Sequence, residues 1–459
     1  MKRTLKLVLA LVLIASMTLA VVGCDLFGAA TQGVDKENHV IHVGNTAATS
    51  GAFASVGVPF NYAQEAYFWY YTTQTEGYKD AAGNKYTIQF HHYDDGFDGT
   101  KGMTYTQKLV EEDKVFALVG HFGSNTVGAT VDYLEENGIP MIYGVCGVSD
   151  LYNTERNIMT VQPIYDTEGQ SMVATAFASV EAGGLAAKKL GVIATTDEAG
   201  KGMLNGIKIE AQKLGKTYEL QEVAADATDY TAAVTALKNA GCDVVIIAAN
   251  QAPFVNIANA FVAAQYENVN LLTSYVSANA TTMGGLVVSG AINATRNVYA
   301  GAWLVTGSVP TETKGWKDFA EYCRIMTLYA KHKGEELITM TDATYGAYVA
   351  FWFGAEEWAK DGVSAYFLNS YAMAGYVSAN VFCEGLTRMS GKDLTWSDFI
   401  DAMESAPVNV PMGTSVSYAD GQRVGIDALA VNAYTRANLG VGEVYRPITD
   451  LKTLEDAVK

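Results

Sequence analysis

The chain has 459 residues, 49% of them hydrophobic, which is too long for one core and long enough for two lobes. A formal net charge of −18 argues against a nucleic-acid partner, whose phosphates it would repel. Five cysteines without a CxxC pair exclude a disulfide scaffold, and Cys146, Cys242, Cys323 and Cys383 read as small buried apolar residues.

Lys2, Arg3 and Lys6 precede an apolar run over residues 7–22, short for a membrane span, that ends in Val21-Val22-Gly23-Cys24. Basic, apolar, small, cysteine is the order of a secretory leader over residues 1–24. Its end resembles the lipobox of bacterial lipoproteins, which implies lipidation of Cys24. Residues 25–37 read as a flexible tether. A further candidate span, residues 345–358, is too short and ends in Glu356-Glu357. The expectation is a monomer held at the extracytoplasmic face of a bacterial envelope by lipid, without crossing the membrane.

The first lobe opens with a strand over residues 40–43. A loop rich in small polar residues follows, with one aromatic, Phe53, as a candidate ligand contact. Pro59 and spaced apolar residues predict a helix, and residues 86–93 a second strand. A helix over 99–112 feeds the stretch that organises the chain. There, an apolar strand at 115–119 breaks at Gly120, and Ser124, Asn125 and Thr126 can cap a helix to about Asn137. A strand at 140–143 then breaks at Gly144. Strand, helix, strand is a βαβ unit, and ligands in open α/β sheets sit at the carboxyl ends of strands, on helix N-termini. Gly123-Ser124-Asn125 is such a place and fits an anion, most simply a carboxylate.

A second alternating series begins near residue 157, with strands at 190–195, 218–223, 243–248 and 270–275, and helices between them. Residues 298–304 read as a strand returning to the first lobe. Long helical patterns cover 315–331, 343–361 and 368–389, and a last strand lies near 428–433.

Tyr93-Asp94-Asp95, the run Lys108 to Val115 and Val119-Gly120 resemble the type I periplasmic binding proteins, the branched-chain amino-acid-binding proteins of ABC transporters. Thr49-Ser50-Gly51, Gly138-Ile139-Pro140-Met141-Ile142, Pro411-Met412-Gly413 and Asp420-Gly421-Gln422-Arg423-Val424-Gly425 match in the same order. The resemblance implies an α/β fold of two doubly wound Rossmann-like lobes with mainly parallel sheets, joined by a three-crossover hinge that closes on ligand. Residues 38–162 and 305–410 would form the first lobe and 163–304 the second. Residues 411–459 would make the third crossover and a segment mostly of the second lobe.

Carried over by position, Phe122, Gly123 and Ser124 would hold a ligand carboxylate, with Val145, Cys146 and Gly147 beside them. Phe53 and Phe122 also fit as core aromatics, and Ser124 as a plain N-cap. In the second lobe Asp197, Gln251 and Tyr275 stand at contact positions. The family's acidic partner for a ligand ammonium is missing near Tyr275, so Asp197 would meet it, or the ligand is not an α-amino acid. His91 and His92 adjoin in a strand, point to opposite faces and chelate a metal poorly.

No GxSxG, HExxH, GxxxxGK[ST] or GxGxxG motif supports an enzyme, and no cofactor is implied. The sequence reads as the substrate-binding lipoprotein of an ABC importer, with an amino acid or a related carboxylate or amide as solute and a membrane permease as partner. A lipid-tethered sensor feeding a membrane receptor is the alternative.

Overall fold

The computed structural model describes residues 31–152, 157–304, 313–436, 446–447 and 452–453. Cys24 and the leader lie outside the described residues, as do residues 437–445, 448–451 and 454–459 of the C-terminal segment.

The first sheet holds β1 (Val34–Asp35), β2 (Val40–Ala47), β3 (Thr87–Asp94), β4 (Ala117–Phe122) and β5 (Met141–Val145). β2 pairs in parallel with β3 on one side and β4 on the other, and β5 continues beyond β4. β1 lies antiparallel along the start of β2. Strand order therefore reverses at β2, so the loops leaving β2 and β4 part and leave a crevice between them.

The second sheet repeats the plan with β6 (Leu190–Thr195), β7 (Tyr218–Val223), β8 (Val244–Ala248), β9 (Asn270–Thr273) and β10 (Val298–Ala302). β6 lies between β7 and β8, and β9 and β10 extend the parallel row. β4 and β8 are buried along their whole length, which is why β8 reads as an unbroken apolar run and β4 begins as one. A two-stranded ribbon, β11 (Val408–Asn409) and β12 (Ser415–Val416), precedes β13 (Ala428–Tyr434). β13 lies antiparallel to β10, with β14 (Arg446–Pro447) and β15 (Lys452–Thr453) along its other edge.

Helices Lys314–Lys333 and Ser370–Arg388 return the chain to the first lobe, where both pack on helix Ala54–Gln74. The approach is close: a Cβ on Gly375 would sit 2.1 Å from the Phe60 carbonyl oxygen, so only glycine fits. Trp396 Nε1 donates to the Phe116 carbonyl at 2.8 Å, tying the following helix to the same core. Phe116, Phe382 and Phe399 meet there, each buried aromatic stabilising the lobe by about 1.5–3 kcal/mol.

Two crossover segments run side by side. Thr160 N donates to Arg423 O at 3.0 Å, Ile426 N to Val161 O at 2.9 Å, and Tyr418 Oη to Thr160 O at 2.8 Å. Buried Arg423 is anchored by Glu404 at 2.5 Å. The Asp420 to Gly425 motif thus has a structural use as half of a paired hinge.

Several elements differ from the sequence reading: Val34–Asp35 of the expected tether form β1, and β5 runs through Gly144 to Val145. β4 does not break at Gly120 but runs on to Phe122, because Gly120 takes a φ of 65° beneath Phe60 and Gln64, where a Cβ would clash. The helical pattern at 343–361 yields only helix Gly346–Phe353 and a short 3-10 turn, interrupted at Gly354 and closed by Gly362 at φ 116°. β10 does not return to the first lobe. Val298 and Ala300 lie in the second lobe's core, and the strand stays in that sheet.

Candidate functional site

A cavity of about 140 Å³ lies between the lobes, at the carboxyl ends of both sheets. From the first lobe it is lined by Phe53, Phe97, the β4 end Phe122-Gly123-Ser124, and Val145. Gly123 sits at the N-cap of helix Ser124–Glu136 with φ 99°, a left-handed value that suits glycine. A Cβ there would lie 2.7 Å from the Phe97 ring. Having no side chain, Gly123 leaves the first-turn N–H groups of its helix uncapped.

Phe97 is held beside the cavity by Asp95. The Asp95 carboxylate is fully buried and accepts from Phe97 N at 2.8 Å, Thr46 Oγ1 at 2.7 Å and Thr126 Oγ1 at 2.8 Å. It therefore ties the end of β2, the Phe97 loop and the first turn of helix Ser124–Glu136 into one unit. Asp94 accepts from the N–H groups of Thr49 and Ser50. The acidic pair is scaffold for the loops that carry Phe53 and Phe97, whose rings stack with centroids 4.2 Å apart.

The second lobe contributes Tyr165, Asn250, Gln251 and the Tyr275 loop, and the crossovers add Gln162 and Trp303. Helix Gln251–Ala263 also starts at the cavity without a side-chain cap from Asn250. Contacts between described residues join the lobes here, among them Tyr165 N, which donates to Gly147 O at 2.7 Å. Tyr371 Oη donates to Val276 O at 2.6 Å, and Ser124 Oγ lies 3.2 Å from Tyr165 Oη.

Among the described residues lining the cavity, none is Asp, Glu, Lys, Arg or His. Besides Asp95, a second buried acid, Glu168, 2% exposed, is bonded to the Tyr275 loop. Its Oε2 accepts from Ser274 Oγ and from Tyr275 N at 3.2 Å, and its Oε1 has no hydrogen-bond partner. Burial pushes its pKa up to about 8, against the pull of those two bonds.

Of the residues selected from sequence, Phe53, Phe122, Gly123, Ser124, Val145, Gln251 and Tyr275 come together on the cavity wall. Cys146, Gly147 and Asp197 do not line it, and each has a local reason. Cys146 is 1% exposed, accepts from Val148 N at 3.4 Å, and burial pushes its thiol up to about 11. Gly147 lies under Tyr165, where a Cβ would come within 2.5 Å of the ring. Asp197 caps helix Glu198–Lys213, its Oδ1 accepting from Gly200 N at 3.1 Å and Thr195 Oγ1 at 2.6 Å, which holds it to its own turn. Phe97, Gln162, Trp303 and Tyr371 were missed. Of these only Gln162 carried a signal, a polar residue closing the apolar crossover before Pro163.

Comparisons with known proteins give the following likenesses. The family model described as "Periplasmic binding protein" matches residues 40–317. An "Amino acid binding protein" of Pseudomonas aeruginosa is 28% identical over 181 residues, which is 39% of this chain and 47% of that protein. The chain thus aligns with about half the length of that relative. A fatty acid ABC transporter substrate-binding protein from Thermomonospora curvata superposes with a TM-score of 0.70 at 17% identity, over 94% of this chain and 96% of the other. A solute-binding protein of an ABC transporter from Rhodopseudomonas palustris, in complex with p-hydroxybenzoic acid, gives 0.67 at 16% identity, over 90% and 97%. A branched-chain amino acid ABC transporter structure from Thermus thermophilus with bound valine gives 0.64 at 14%, over 90% and 96%.

Proposed function

Because the chain belongs to the periplasmic binding protein family, we propose that it is the solute-binding component of an ABC importer and clamps a small carboxylate between its lobes. The carrying observation is the cavity itself, walled by both lobes and both sheets' carboxyl ends, with an uncapped helix start from each lobe. Valine, fatty acids and p-hydroxybenzoic acid, the solutes of these structural neighbours, share one group, a carboxylate. Ser124 and the N–H groups beside it receive that group, and the second lobe adds Gln251 and the Tyr275 loop. Ligand favours closure only through contacts that exist in the closed form. Such contacts would come from residues of the two lobes acting together, as at Ser124 and Tyr165. The closed form is what a permease reads.

The placement outside the cytoplasm, with Cys24 as lipid anchor, belongs to the same proposal and rests on the leader pattern. A thermal-shift screen of amino acids, fatty acids and aromatic acids tests the binding claim. One carboxylate class should raise the melting temperature, with stabilisation of about 2.7 kcal/mol at a hundredfold excess over Kd. A screen in which no carboxylate shifts the transition discards the reading.

A further inference from the structure

Resting on that reading, we infer that the cavity selects an aromatic monocarboxylate: one ring, one carboxylate and no ammonium. An α-amino acid brings a second charge that must be met inside the protein. No acidic side chain is among the described residues lining the cavity. Asp197 is engaged by Thr195 and by the start of its own helix, and Glu168 stands behind backbone with one oxygen held by Ser274 and Tyr275 N. An ammonium enclosed there would meet neutral acceptors such as the Gln251 amide oxygen but no counter-charge, and a buried charge without one is costly.

A single negative charge is treated differently. Helices Ser124–Glu136 and Gln251–Ala263 both begin at the cavity, one from each lobe, uncapped and with no acidic residue in the first turn. Their positive ends favour an anion without any cationic side chain. Gln162 adds a donor. It is 4% exposed, lines the cavity, and its Oε1 accepts from Tyr143 Oη at 2.8 Å, which leaves the amide NH2 as the end able to donate.

Aromatic rings are prominent in the rest of the wall, beside aliphatic Val145, Val276, Leu304, Leu368 and Met373. Phe53 and Phe97 stack face to face, and Tyr275 meets Trp303 edge-on with centroids 6.2 Å apart. The volume of about 140 Å³ matches a single ring, since a dry cavity of roughly 150 Å³ in another protein takes up benzene.

The test is calorimetric titration of the full-length protein with four probes: 3-phenylpropanoate, phenylalanine, 3-phenylpropanamide and hexanoate. Phenylalanine differs from the first by the ammonium, the amide by the charge, and hexanoate by the ring. The expected result is that 3-phenylpropanoate binds more tightly than all three, on the order of a hundredfold over phenylalanine. Phenylalanine binding as tightly overturns the inference while leaving the solute-binding reading intact. Equal affinity for the amide, or for hexanoate, overturns the charge or the ring requirement. Failure of every small carboxylate to bind removes both the inference and the reading beneath it.

Discussion

Glu168→Gln should stabilise the protein by about 4 kcal/mol above pH 8 and leave it nearly unchanged at pH 4.5. The folded-state pKa of Glu168 is raised from 4.5 to about 8, chiefly by burial. Below pH 4.5 both folded and unfolded chains carry the proton, so its contribution is fully present. As pH rises toward 8 the unfolded chain releases the proton while the folded chain keeps it, and stability is lost until the folded carboxyl also ionises. Glutamine keeps the shape and has no proton to lose. His121 acts in the opposite sense. It is fully buried, burial drives its pKa from 6.5 down to about 3, and its ring is met by Thr46 N, Thr106 and Thr130. Its stability contribution is present above pH 6.5 and is lost as pH falls toward 3. Between pH 4.5 and 6.5 the two slopes oppose. Urea denaturation at pH 5, 7 and 9 should therefore show wild-type stability declining above pH 6.5 and the variant holding level. Parallel pH profiles for the two proteins would contradict this assignment.

Asp95→Ala should cost about 2–4 kcal/mol of stability and weaken ligand binding as well. The carboxylate is fully buried and is the acceptor for two threonine hydroxyls and one backbone N–H. Removing it strands those donors away from water, which costs more than the bonds themselves contribute. It also frees Phe97, a non-glycine residue held at φ 68°, a conformation that persists only when its surroundings enforce it. Thr126→Val, which deletes one of the three donors with its bond, should cost about 1 kcal/mol. The denaturation midpoint and the calorimetric Kd check both effects. An Asp95→Ala protein within 0.5 kcal/mol of wild type would show that the loops are held by other means.

The residues that sequence and structure agree on share one property: local pattern places them. Apolar runs mark β4 and β5, though both strands continue past their glycines, and a strand end followed by Ser124 marks the helix start that lines the cavity. Phe97, Trp303 and Tyr371 come from three separate segments that meet only once both lobes are packed, so no spacing announces them. Asp197 and Cys146 sit near the right loops, but a carboxylate two residues after a strand is drawn to cap the next helix, and the thiol turns into the core. Gly120 was read as a strand end because glycine usually breaks a run. Here Phe60 and Gln64 occupy the space a side chain would need, and the strand continues beneath them.

The location of the ligand is best tested by filling the cavity. Ala374 lines it from helix Ser370–Arg388, whereas Val288 is 89% exposed on a helix of the second lobe. Calorimetric titration of Ala374→Trp with the tightest carboxylate of the screen should lose binding by on the order of a hundredfold, and Val288→Trp should titrate like wild type. An Ala374→Trp protein that folds and binds with wild-type Kd would move the ligand out of the space between the lobes.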